Sequence, residues 1–252
     1  MGRSNFFLSF SFILFCFILV FFVVSRANAQ ENLTLQASST EGDVKLTTAS
    51  IIDSDGDGYS DEEEIKNNYS PYNKEIVKLD KNDADKDGLN DSLELKFKTD
   101  PLNPDSDNDG YKDGEEVYWG YDPLSSSKKK LNQKILIDLK KQKMQYLVSG
   151  SVLKEFPVSS GKPSMKTPSG SFKITNKNKK AWSNTYKLWM PYWLGLGSGR
   201  IGIHELPFWP SGYREGANHL GTPVSHGCVR LGIGAAKYIY ERVNVGTSVI
   251  IN

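Results

Sequence analysis

Three 12-residue stretches, DSDGDGYSDEEE from Asp53, DADKDGLNDSLE from Asp83 and DSDNDGYKDGEE from Asp105, each place Asp at positions 1, 3, 5 and 9, Gly at 6 and Glu at 12. Carboxylates packed this densely repel one another, so the segment orders only when a cation neutralises them. A solvated acidic run has no need of Gly and Glu at the same two offsets three times over. A hard divalent cation does. Calcium takes about six to eight oxygens, which such a loop supplies from positions 1, 3, 5, 9 and 12 and from the carbonyl at 7, with Gly at 6 permitting the turn. The expected ligands are Asp53, Asp55, Asp57, the Tyr59 carbonyl, Asp61 (directly or through water) and Glu64 in the first loop. They are Asp83, Asp85, Asp87, the Leu89 carbonyl, Asp91 and Glu94 in the second, and Asp105, Asp107, Asp109, the Tyr111 carbonyl, Asp113 and Glu116 in the third.

Paired helix-loop-helix hands are not expected. KLTTASII, before the first loop, is β-branched and lacks helical periodicity, and only LKFKTDPLNP, with two prolines, separates Glu94 from Asp105. No entering helix of useful length fits there. TDPLNPDSDNDG instead resembles thrombospondin type 3 repeats and the related calcium loops of bacterial surface proteins. That resemblance covers residues 53–124 and implies a compact, metal-threaded stalk or spacer.

Charge divides the chain. Asp53 to Asp122 holds 22 Asp and Glu against 8 Lys and Arg, a balance of −14, whereas Leu131 to Asn252 holds 17 basic against 5 acidic residues, or +12. Between them SSSKKK, Ser125 to Lys130, reads as a flexible junction, so residues 125–132 are taken as a linker. Residues 30–52, rich in Ser, Thr, Gln and Glu, read as another. At the N-terminus, Arg3, an apolar run from Phe6 to Val24 and the small-residue site Ala27-Asn28-Ala29 predict an export signal over residues 1–29; the run is also long enough for an uncleaved membrane anchor. Either way the remainder is exported to the cell envelope. With that segment removed, Cys228 is the one remaining cysteine, which excludes an intramolecular disulfide. An unpaired thiol in an oxidising compartment points to chemistry.

From Gln133 the pattern turns to strands: KILIDL, then KMQYLVSG and SVLKEFPVSSG as a hairpin about a Ser-Gly turn, TPSGSFKIT, GRIGIH, GCVRL and the terminal GTSVIIN. One helical pattern, GAAKYIYERV from Gly234 to Val243, carries Ala235, Ile239 and Val243 on one face. Residues 133–252 therefore predict a mainly β domain with a minor helix, preceded by a small loop-rich module.

The ordered blocks ILIDLKKQKMQYLVSGSVLKEFPVSSGK, KTPSGSFKI, MPYWL, GIH and SHGCVRL resemble the L,D-transpeptidase catalytic domain (YkuD type) over nearly all of residues 133–252. The resemblance implies a β-sandwich carrying a cysteine nucleophile, Cys228, with His204 as its base. Ser225, His226 and the N–H groups of Gly227 and Cys228 would shape the oxyanion pocket and hold the imidazole, and Arg230 would hold the site or a substrate carboxylate. The implied substrates are peptidoglycan stem peptides: the thiol displaces D-Ala and passes the acyl group to an amine, making 3→3 crosslinks. Water as acceptor makes the site a carboxypeptidase, and a protein amine makes it an anchoring enzyme. A calcium-dependent wall-binding protein without catalysis is the alternative. No cofactor is implied for catalysis, and no nucleic acid as partner.

Twenty residues separate His204 from Ser225, more than the family spacing, which places an insertion in FWPSGYREGAN and keeps His219 open as an alternative base. Trp209 and Tyr213, inside that insertion, are expected as cleft residues, the other aromatics as packing, and Glu205 as a solvent-facing side chain.

Overall fold

A computed structural model describes residues 52–252. The export segment and the first linker, apart from Ile52, lie outside the described residues. Among those described, no helix is long and apolar enough to cross a membrane.

Each acidic loop runs directly into a short helix: α1 (Asp61–Lys66), α2 (Asp91–Phe97) and α3 (Asp113–Trp119). Among the described residues no helix runs into the second or third loop, as the proline-containing approach to the third requires; the β-branched approach to the first lies almost wholly outside them. The glycines at position 6, Gly58, Gly88 and Gly110, have φ between 94° and 102°, where a side chain would be strained. Ser60 and Asn90 cap α1 and α2 by accepting the N–H of Glu63 and Leu93.

The β region comprises β1 (Gln133–Asp138), β2 (Lys143–Val148), β3 (Ser151–Ser159), β4 (Gly170–Ser183), β5 (Leu188–Leu196), β6 (Ile201–Glu205), β7 (Val229–Leu231) and β8 (Ser248–Ile251), with α4 (Ala235–Arg242) between the last two strands. The strand order is β1-β2-β3-β7-β6-β5-β4-β8, closing on β1. β3 and β4 each take part in both sheets, so the expected two-sheet arrangement is joined at its corners into a barrel with no open edge. Alternate residues of β1 and β2, including Ile135, Ile137, Met144 and Tyr146, are fully buried. α4 packs on β5, β6 and β7 through Ala236 and Ile239.

Leu89, Leu93 and Val117, from the second and third repeats, belong to the same buried cluster as Ile135, Val158 and Ile239. Gln133 joins the parts: its amide nitrogen donates to Tyr146 Oη (2.7 Å), the Arg242 carbonyl (3.0 Å) and, more weakly, the Trp119 carbonyl (3.4 Å). The Arg242 guanidinium lies over Trp119, 4.4 Å from the ring centre. The SSSKKK stretch is also ordered. Asp122 N–H donates to the Lys129 carbonyl, Leu131 N–H donates to that of Gly120, and Lys129 pairs with Asp122 at 2.7 Å. Its lysines supply one ion pair and two cation–ring contacts, to Tyr111 and Tyr121, rather than freedom.

Candidate active site

Parallel pairing of β6 with β7 sets His204 opposite Arg230, with Cys228 immediately before β7. These residues, with His226, Trp193 and Tyr186, line a cleft of about 490 Å³. Cys228 is partly exposed to it.

His204 is 2% exposed, and its ring stacks on Trp193 with centroids 5.9 Å apart. Nδ1 lies 2.6 Å from the Glu205 main-chain carbonyl. A carbonyl oxygen can only accept, so Nδ1 carries the proton and Nε2 is the basic nitrogen of the neutral ring. Burial pulls the imidazole down to about 4, against the opposing effect of that carbonyl. Burial also pushes the Cys228 thiol above its ordinary value, opposed by the Gly202 amide and by Arg230. Thiol and imidazole are therefore both neutral around pH 7, and the thiolate forms as the proton leaves during attack. Alkylation of Cys228 by iodoacetamide should climb steadily from about pH 6 to about pH 9, without a step near the ordinary histidine value. Mass spectrometry of quenched samples checks this; a plateau below neutrality would show a preformed ion pair instead.

Ser225 and Gly227 shape the turn rather than the oxyanion pocket. Ser225 Oγ donates to the Cys228 carbonyl (2.5 Å) and accepts the Gly227 N–H (3.1 Å), which spends that amide within the loop. Gly227 has φ of 114°, and its carbonyl accepts from Thr167 Oγ1 at 3.0 Å, a contact between segments far apart in sequence. His226 does not hold the imidazole: it is exposed at the rim and stacks on Tyr186 at 4.3 Å. Burial lowers its pKa, as do the charges of Lys162 and Arg230. Arg230 is 7% exposed and donates to Glu215 Oε1 at 2.7 Å.

Residues 132–251 match the YkuD family, described as the L,D-transpeptidase catalytic domain. Residues 53–68, 83–104 and 105–126 match the bacterial TSP3 repeat. The chain is similar to the Bacillus subtilis protein YciB, provisionally named an L,D-transpeptidase, at 29% identity over 123 residues, 46% of this chain and 63% of that protein. The chain thus spans under two thirds of that relative. Solved structures similar to it include an L,D-transpeptidase from Mycobacterium smegmatis (23% identity, 49% of this chain and 60% of that chain, TM-score 0.43). Another is from Stackebrandtia nassauensis (27%, 48% and 55%, TM-score 0.41).

The cleft departs from the sequence reading in three further places. His219 lies outside it, on a short 3-10 turn with Nδ1 3.1 Å from Glu215 Oε1. Glu205 is not solvent-facing; it is 5% exposed and accepts from Arg214 (2.7 Å) and from the Gly234 N–H at the start of α4 (3.2 Å). Trp209 and Tyr213 pack against each other, tilted, at 5.2 Å outside the cleft lining, and the aromatic beside His204 is Trp193.

The acidic loops fit a cation. Asp53, Asp55 and Asp57 bring one oxygen each to within 4.8 Å of one another, as do Asp83, Asp85 and Asp87, and Asp105, Asp107 and Asp109. Both oxygens of Glu94, and one each of Asp55, Glu64, Asp83, Asp85, Asp107 and Glu116, are buried without a hydrogen-bond donor. Burial first, and the neighbouring aspartates second, raise Glu64 and Glu116 to about 7 and Glu94 to about 9. A divalent ion held by positions 1, 3, 5 and 12 would supply the missing charge. The ninth position does different work. Asp61 accepts from Ser54 N (2.8 Å) and Oγ (2.6 Å), and Asp113 from Ser106 N (3.0 Å) and Oγ (2.6 Å). Asp91, opposite Ala84, takes the Ala84 N–H, Asn82 Nδ2 and Ser70 Oγ instead. These carboxylates latch the loop to its second residue, a donor that metal-ligand spacing does not report.

Proposed function

We propose that this chain is an exported cysteine L,D-transpeptidase of the cell envelope that acts on peptidoglycan stem peptides and binds calcium through its repeats. The observation that carries the reading is the fixed tautomer of His204, whose basic Nε2 shares a cleft with Cys228. Cys228 Sγ bonds to the acyl carbon before the terminal D-Ala as its proton passes to His204. The C–N bond then breaks, and the same proton leaves on the D-Ala amine. An acceptor amine next attacks the thioester, the C–S bond breaks, and the amine's proton returns through His204 to the thiol. Trp193 keeps the ring stacked and water off one face, while Arg230 favours the transient thiolate. Export rests on the N-terminal segment and on a substrate that lies outside the membrane.

Incubation of the purified chain with tetrapeptide muropeptides, followed by mass spectrometry, tests the reading. Crosslinked dimers with loss of D-Ala support the transferase, tripeptides alone make it a carboxypeptidase, and a protein adduct makes it an anchoring enzyme. Unchanged muropeptides that still bind the chain would leave only a wall-binding role. His204→Ala should lower kcat about 100-fold or more, as expected for a lost general base, whereas His219→Ala stays within a few-fold. The reverse ranking would reassign the base.

A further inference from the structure

The connection from Leu206 to Cys228 is longer than an adjacent base and nucleophile require, and consecutive residues in it carry opposite charges to two different strands. Arg214 Nη1 donates to Glu205 Oε1 of β6 at 2.7 Å and to the Leu206 carbonyl at 3.3 Å. Glu215 Oε1 accepts from Arg230 Nη1 of β7, also at 2.7 Å. The Glu205 and Glu215 side chains are each 6% exposed and that of Arg230 is 9% exposed. A pair as buried as Glu215–Arg230 adds little stability over apolar packing but is costly to break and so holds one geometry, whereas Arg214, 36% exposed, closes over a buried Glu205 from the solvent side. Glu205 is also the residue whose carbonyl fixes the His204 ring, and Arg230 lines the cleft with Cys228.

We propose that Arg214 and Glu215 are positioning residues, Arg214 holding Glu205 and through its carbonyl the ring of His204, and Glu215 holding Arg230 beside Cys228. The inference rests on the transpeptidase reading for its catalytic meaning. The charged and titratable groups facing the thiol region are His204 from β6, Arg230 from β7, Arg200 from the β5–β6 turn, His226 beside the thiol, Tyr186 at the β4–β5 tip and Lys162 after β3. Glu215 is the anion paired with the most buried of these cations. Its removal leaves a net positive field at the thiol, and removal of Arg214 leaves the Glu205 carboxylate with the Gly234 N–H alone.

The test uses the whole chain and two readouts, the pH midpoint of iodoacetamide alkylation at Cys228 and the kcat and KM for D-Ala release. Glu215→Gln should lower the alkylation midpoint by about half a pH unit or more, because an anion is lost. Arg214→Gln should lower kcat about tenfold to a hundredfold with KM within about twofold, and Arg214→Lys should recover most of the loss. A merely structural role would lower Tm and move neither readout. Either residue staying at wild type in its own readout overturns the claim for that residue. Where Glu215→Gln fails to fold, Glu215→Asp decides: its shorter carboxylate draws Arg230 from the cleft and lowers kcat about tenfold, and an unchanged kcat overturns the claim. A wild type that alkylates normally but turns over no muropeptide refutes the transpeptidase reading alone. Glu215 is then still judged by the midpoint, and Arg214 by the alkylation rate at neutral pH, where His204 also takes the thiol proton.

Discussion

Replacing Cys228 by Ala should reduce D-Ala release from tetrapeptide stems by at least about a thousandfold, to the level of a site that binds but forms no covalent intermediate. The thiol is the free cysteine of the described residues, and no hydroxyl stands in for it: the nearby Ser225 Oγ is already engaged with the Cys228 carbonyl and the Gly227 N–H. Those bonds use main-chain atoms of residues 227 and 228, so the turn should survive the substitution. Removing one partly exposed sulfur should cost about 1 kcal/mol or less. The loss is therefore expected with Tm nearly unchanged, which separates chemistry from folding. A carbapenem should add its mass to the wild type and not to the variant. Retained turnover in Cys228→Ala would falsify the covalent mechanism outright.

Calcium should raise the melting temperature of the chain by about ten degrees or more over EDTA. A site filled at a hundredfold excess over its Kd contributes about 2.7 kcal/mol, and three loops each gather three aspartates. A domain of this size shifts by roughly 2 to 4 °C per kcal/mol. The shift should appear in one transition, because Leu89, Leu93 and Val117 share a core with the barrel and Trp119 lies against Arg242. Glu94→Gln, which removes a fully buried carboxylate from the second loop, should shrink it by about one site's worth. Calorimetry in EDTA, millimolar magnesium and millimolar calcium checks all three statements. Identical curves would remove the metal assignment, and two separate transitions would mean that repeats and barrel unfold independently.

What could be read from the sequence was whatever recurs at fixed offsets. The loop glycines and carboxylates, the Cys228 turn and the α4 stripe each repeat a spacing set by backbone geometry or by an ion. Contacts that cross the chain left no such trace. Glu205 reads as a surface carboxylate because its partners, Arg214 and Gly234, lie 9 and 29 residues away. The long β4 reads poorly because TNKNKK presents an almost wholly exposed, Lys-rich strand without alternating apolar residues. Trp119 and Trp193 have no periodic partners, so nothing marked one as the seat of Arg242 and the other as the wall behind His204.

The parallel ladder between β6 and β7 also bears on how such a chain can change over time. A parallel neighbour can be reached only by a crossover, whose length does not enter the pairing of His204 with Arg230. Insertions in that crossover can lengthen the path along the chain between His204 and Cys228 while their separation in space stays fixed. A search that fixes the number of residues between histidine and cysteine will therefore discard working relatives. The dependable criterion is the strand ladder, and the crossover is free ground on which new charges can be recruited.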